Sequence, residues 1–243
     1  MATAIVTGGA KRIGAEIVRA LAADGWHVLI HYHRSKAEAE ALAAEIGNAS
    51  VVGADLADPA AAEAIVAALE GLPLPRLLVN NASRFVHDDI SDFTPEGWAA
   101  HLDVNLRAPA LLSRAFAARA GEGLIVNLLD AKLASPNPDF FSYTISKIAL
   151  AGLTELGARA FAPRIRVNAI APSVTMVSGP QSRANFEKVH GLNALGRGVD
   201  VAEIVGALRF IIATPSLTGQ TILLDGGQRF LSLPRDVQFL EPQ

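Results

Sequence analysis

Short apolar runs alternate with stretches of helical period along all 243 residues of the chain. The runs at 2–7, 26–32, 50–53, 76–80, 124–129, 164–170 and 221–224 have strand length and are rich in aliphatic and β-branched residues. Between them lie segments of helical period. The first opens at the Gly8–Gly14 turn and runs to about Asp24. The second follows Ser35, where Ser35-Lys36-Ala37-Glu38 reads as a capping box, and the third follows Asp58-Pro59, a cap with proline at the first helical position. The fourth starts at Thr94-Pro95-Glu96, and Asn105 interrupts it ahead of Pro109. The last two cover 142–162 and 200–213. Strands alternating with helices predict βαβ units, hence an α/β fold with one doubly wound parallel sheet of about seven strands and helices on both faces.

Composition narrows the class. With 51% hydrophobic residues and no break in composition, the chain reads as one domain over 1–243, with an irregular segment at 174–199 that suits a substrate loop and an unread tail at 229–243. A net charge of −3 and a pI near 6.1 argue against a nucleic-acid partner. No apolar run reaches 18 residues, so no membrane partner and a cytoplasmic location are expected. The absence of cysteine excludes disulfides, thiolate metal sites and cysteine nucleophiles. His27, His31 and His33 alternate along the second strand, but no carboxylate or thiolate joins them, so no metal is expected.

The turn Gly8-Gly9-Ala10-Lys11-Arg12-Ile13-Gly14 stands between a strand and a helix, the arrangement that admits a diphosphate. Glycines let the backbone approach closely, and a helix N-terminus supplies free N–H groups. Beyond the second strand, where NAD-specific folds place an acid, the chain carries His33-Arg34-Ser35. A guanidinium with a hydroxyl beside it suits a 2′-phosphate, and Arg12 adds a second cation, so NADPH is favoured over NADH. Asp55 and Leu56 form an edge that can border an adenine. Asn81, Ala82 and Ser83 follow the fourth strand, and Pro172 and Ser173 the sixth.

The richest stretch is 124–147, a buried strand leading through a proline-broken loop into a helix. Tyr143 and Lys147 lie four apart on one helix face. A cation about 5 Å from a phenol, at an effective dielectric of about 20, favours the phenolate by roughly 3 kcal/mol, or about 2 pK units, bringing proton exchange near neutrality. Asp130 leaves its strand at the end where open sheets place their ligand crevice. Phe85 either packs under a neighbouring loop or offers a flat face to a planar heterocycle. Asn105 reads as a satisfied core amide.

Thr7-Gly8-x-x-x-Arg12-x-Gly14, Asn80-Asn81-Ala82, Asn105, Tyr143-x-x-x-Lys147 and Asp225-Gly226-Gly227 together resemble the short-chain dehydrogenase/reductase family over about residues 2–228. Two positions depart from its pattern: Arg12 replaces the middle glycine of the turn, and Asp130 replaces the serine that polarises a carbonyl. With 31–35, 81–85 and 127–131, these departures resemble the pteridine reductase branch. The resemblance implies a Rossmann-type NADP-binding reductase domain and NADPH-dependent reduction of dihydropterins or dihydrofolate. In it Asp130, Tyr143, Lys147 and Asn105 are catalytic, and Phe85, Ser83, Asp130 and Tyr143 meet the substrate. Gly8, Arg12, Ile13, Gly14, His33, Arg34, Ser35, Asp55, Leu56, Asn81, Ala82, Ser83, Tyr143, Lys147, Pro172 and Ser173 hold the cofactor. It also implies a homotetramer. An Asp130 charge beside Tyr143 opposes Lys147 and keeps the phenol protonated. Two other readings stay open: a general carbonyl reductase indifferent to Phe85, and a nucleotide-binding sensor without turnover, which Tyr143 and Lys147 argue against.

Overall fold

The computed structural model describes residues 1–178 and 181–240. Positions 179–180 of the expected substrate loop and 241–243 of the tail lie outside the described residues. Seven strands are formed: β1 (Thr3–Val6), β2 (His27–Tyr32), β3 (Ala49–Gly53), β4 (Pro75–Asn80), β5 (Gly123–Leu128), β6 (Ile165–Pro172) and β7 (Thr221–Leu224). The helices are α1 (Arg12–Ala23), α2 (Lys36–Ile46), α3 (Ala61–Ala67), α4 (Pro95–Leu102), α5 (Ala108–Ala120), α6 (Phe141–Phe161), α7 (Arg183–Val189) and α8 (Val201–Ala213). All seven strands pair in parallel in the order β3-β2-β1-β4-β5-β6-β7.

Both faces of this sheet are covered, so its strands carry continuous apolar runs. Ala4 and Val6 of β1 enter a core built with α1, α2 and α8, whereas Ile5 enters a second core with α3, α5 and α6. Each fully buried Ile, Val or Leu contributes about 1.5–3 kcal/mol, which makes the strand register costly to change. The order reverses between β1 and β4, and a ligand crevice opens beyond the strand ends at such a point. The chain sends Gly8, His33, Asp55, Asn81, Asp130 and Ser173 to that edge from six successive strands. No helix of the described residues is long and apolar enough to cross a membrane.

Several local expectations are corrected. Ser35 makes no side-chain cap on α2, and Glu38 pairs instead with Lys11 at 2.6 Å, so the capping box does not form. Asp58 accepts from the Ala60 N–H in a turn, and α3 starts later, at Ala61. The interruption at Asn105 is a π-helical turn over Asp103–Arg107 that joins α4 to α5 in one continuous helical run. The segment 174–199 contains the short helix α7. Thr94 caps α4 as expected, accepting from Gly97 N–H at 3.0 Å.

Candidate active site

The cleft at the C-terminal edge of the sheet has a volume of about 960 Å³. Every site residue expected from the sequence lines it, with the exception of Asn105. At its floor the glycine turn is held from three sides. Thr7 Oγ accepts from the N–H groups of Asn81 and Ala82, and the Asn81 amide donates to the Thr7 and Gly8 carbonyls at 2.8 and 3.2 Å. Buried His31 accepts from Gly8 N–H through Nδ1 at 3.1 Å, so its Nε2 carries the hydrogen and donates to the Ala54 carbonyl at 3.0 Å. Burial lowers its pKa, and acceptance from Gly8 N–H at Nδ1 requires the neutral form. A Cβ on Gly14 would sit 2.2 Å from the Gly8 carbonyl oxygen, so only glycine allows the turn to close onto α1.

Arg12 adopts φ +57 where a glycine would be unstrained, a cost of about 1–2 kcal/mol for an L-residue. Its guanidinium donates to the Val177 carbonyl, tying the turn to the irregular segment after β6. Arg34 and Ser35 line the cleft, and the Ser35 hydroxyl is not used as a cap. His33 faces Asp55 at 3.6 Å. A bare helix N-terminus, a glycine turn tight enough to exclude a Cβ, and cations rather than an acid after β2 fit a dinucleotide with a 2′-phosphate.

At the other end, the Tyr143 hydroxyl donates to Asp130 Oδ2 at 2.7 Å, and Asp130 Oδ1 accepts from Lys132 N–H at 2.8 Å. Lys147 Nζ donates to the Leu128 carbonyl at 2.7 Å and lies 5.7 Å from the Tyr143 ring centre. The outcome for Tyr143 corrects the first electrostatic expectation and bears out the second. Burial, followed by the charge and hydrogen bond of Asp130, pushes the phenol well above its usual value of 10.0. Burial brings the Lys147 ammonium down to about 8, against the opposing pull of Asp130. The lysine is turned toward the backbone of β5 and does not offset burial, so with Asp130 adding to that effect Tyr143 keeps its proton.

Phe85 stacks on Phe140 with ring centres 4.1 Å apart and meets Tyr143 edge-on at 4.7 Å. It therefore packs against a neighbour and still presents a face to the cleft. Asn105 is fully buried. Its carbonyl accepts from Arg84 N–H and Ser83 Oγ, and its amide donates to the Arg84 carbonyl and to Ser146 Oγ. It ties the Ser83–Phe85 loop to α6, and all its hydrogen-bonding capacity is spent on these contacts.

The sequence reading missed the far wall. Lys132 and, from the tail, Asp236, Val237 and Gln238 line the cleft. Arg235 forks onto buried Asp139 with contacts of 2.7–3.0 Å, and Asp139 also accepts from Asp236 N–H at 2.7 Å. Phe239 stacks on Phe140 at 5.8 Å and meets His87 at 4.8 Å. No periodic signal marks these residues; a charged Arg-Asp pair in an otherwise uncharacterised tail was the only hint.

A family model described as Enoyl-(Acyl carrier protein) reductase matches residues 8–229. An L-xylulose reductase from Mesocricetus auratus is 34% identical over 237 residues, 92% of this chain and 95% of that protein. A 3-oxoacyl-[acyl-carrier-protein] reductase from Synechocystis sp. is 30% identical over 236 residues, 92% of this chain and 95% of that protein. The solved structure of FolM alternative dihydrofolate reductase 1 from Brucella canis, complexed with NADP, superposes with a TM-score of 0.90 at 41% identity and covers 94% of both chains. Its counterpart from Brucella suis, also with NADP, gives 0.89 at 40%, covering 94% of this chain and 95% of the other.

Proposed function

The chain belongs to the short-chain dehydrogenase/reductase family, and we propose that this NADPH-dependent oxidoreductase reduces dihydropterins, dihydrofolate among them, to their tetrahydro forms. The observation that carries the reading is the Asp130–Tyr143 hydrogen bond at the reacting end of the cleft. Two solved relatives with 40% identity or more are described as alternative dihydrofolate reductases in complex with NADP, which supports it.

NADPH, when bound, supplies the hydride. Gly8, Gly14 and the N-terminus of α1 would hold its diphosphate, and Arg34 and Ser35, with Arg12 nearby, its 2′-phosphate. Asp55 and Leu56 would border the adenine, with Ile13, His33, Asn81, Ala82, Pro172 and Ser173 along the remaining wall. Phe85 faces the substrate ring, and Ser83 lies beside it. Asn105 acts through that loop as a positioning residue.

The proton chemistry separates the two reductase readings. Hydride addition to a ketone builds negative charge on oxygen, and a carboxylate at that point raises the barrier. Hydride addition to a ring C=N is easiest when the nitrogen is protonated and cationic, and the charge of Asp130 favours that form. Tyr143 holds a proton that its raised pKa does not release to water, so it is delivered only to a base placed against its hydroxyl. Asp130 orients that hydroxyl, and Lys147, fixed beneath by the Leu128 carbonyl, offsets charge left on the phenol oxygen. A homotetramer accompanies this reading, supported by the exposed Ile148 and Leu156 of α6 and Phe210 of α8.

The test is NADPH oxidation by the purified protein with dihydrobiopterin, dihydromonapterin and dihydrofolate, beside simple ketones. Turnover of at least one dihydropterin with a kcat/KM about a hundredfold above any ketone is expected. Turnover confined to ketones would assign a general carbonyl reductase instead.

A further inference from the structure

Two charged side chains at the reacting end of the cleft have no part in the reaction described above. Lys132, from the turn after β5, and Asp236, from the C-terminal segment, have side chains only 9% and 15% exposed and stand 3.5 Å apart. Both line the cleft. The segment bearing Asp236 is anchored without that carboxylate, through the Arg235 fork onto Asp139, the Asp236 N–H and the Phe239 stack. Among the described residues Asp236 Oδ1 accepts only from Gln238 N–H at 3.1 Å, and Oδ2 has the Lys132 ammonium, which also donates to the Asp139 carbonyl, at 3.5 Å, the outer limit of a hydrogen bond. Drawing two charges into a wall is a weak way to hold a tail that a bidentate arginine already holds. A carboxylate beside an ammonium is, however, a matched acceptor and donor for a planar ring with N–H next to C=O.

We propose that Asp236, steadied by Lys132, is a specificity-determining residue that reads the N–H edge of an amino-oxo-pyrimidine ring in the substrate, an inference that rests on the dihydropterin reading above. Its position agrees. Lys132, whose ammonium stands 3.5 Å from Asp236, also donates its backbone N–H to Asp130, which accepts from Tyr143, so Asp236 shares one end of the cleft with the Asp130–Tyr143 pair. Burial, first, raises the Asp236 pKa and lowers that of Lys132. The aromatic wall of Phe85 and Phe140 supplies the ring face, and Asp236 supplies the edge. A ketone substrate has no such edge, so the residue adds nothing to carbonyl reduction.

The test pairs Asp236→Asn with two substrates, a dihydropterin and its analogue lacking the 2-amino group. The variant keeps an acceptor for Gln238 N–H, and its affinity for NADPH, followed by fluorescence titration, should equal that of the wild type. The wild type should show a KM about tenfold or more higher for the deaminated analogue, and the variant should treat the two alike, with KM for the dihydropterin raised by a similar factor and kcat within about threefold. An unchanged KM, or an equal loss on both substrates, would overturn the inference while leaving the dihydropterin reading in place. Absence of wild-type turnover on any dihydropterin would overturn that reading, and this one with it.

Discussion

In the proposed reaction three side chains, Asp130, Tyr143 and Lys147, set the chemistry, and the balance among them comes from burial. Tyr143 and Lys147 are both enclosed, and enclosure disfavours the charged form of each. The phenol is thereby raised and the ammonium lowered, while Asp130, bonded to the phenol at 2.7 Å, adds to the first effect and opposes the second. The pH dependence follows with a definite sign. Tyr143 stays protonated through neutrality, so the reductive rate does not wait on its titration. Lys147 carries its charge below about 8 and loses it above. The profile of kcat/KM with NADPH varied is expected to be flat from about pH 6 to 7 and to fall about tenfold per unit above the Lys147 value. A rate that instead rises through pH 8 would show that a neutral lysine or an ionised phenol is the working form. The Tyr-x-x-x-Lys spacing was legible in the chain, but the direction of the Tyr143 shift turned first on how deeply the phenol is buried and then on its bond to Asp130, which spacing does not reveal.

At the level of elements, strand ends do most of the placing. Strand positions were readable to within two residues because runs buried on both faces leave little choice of register. Caps were less readable when the partner was remote. The N-terminus of α6 takes Asp88, 54 residues earlier, as acceptor for Ser142 N–H at 2.9 Å, and Phe140 precedes it at φ +55. Likewise Glu38 deserts its capping box for Lys11, a partner from another element. The C-terminal segment was the least legible, since short 3₁₀ turns over Gln228–Leu231 and Val237–Phe239 carry no period. Its anchoring is specific all the same. Arg235→Ala leaves buried Asp139 with Asp236 N–H and a distant His87, and is expected to cost about 1–3 kcal/mol. For a domain of this size that lowers Tm by roughly 2–12 °C, which calorimetry would register. An unchanged Tm would show the tail to be held elsewhere.

Over the whole molecule, one seven-stranded sheet brings residues separated by as much as 230 positions, Gly8 and Gln238, to the same cleft. The fold was legible because alternation of strand and helix admits few topologies, and the glycine turn told which edge would bind. The family scaffold supports ketone and pterin chemistry alike, as the L-xylulose and dihydrofolate reductases among the relatives illustrate. Substrate choice therefore rests on the few groups at the reacting end. The exposed Leu156, at 67%, and Phe210, at 54%, are the apolar side chains that the proposed homotetramer would cover. Light scattering is expected to give four times the 25.5 kDa chain mass, and a monomer would contradict the tetramer.

The most direct test of the account is Asp130→Ser, read as the ratio of kcat/KM for a dihydropterin to that for a simple ketone. Removing the carboxylate takes away the group that favours a cationic ring nitrogen and supplies a hydroxyl that polarises a carbonyl. The ratio is predicted to fall by about a hundredfold or more, chiefly through loss of pterin turnover, on the order of 3 kcal/mol of transition-state stabilisation. A ratio unchanged by the substitution would contradict the claim that Asp130 directs this reductase to a C=N bond.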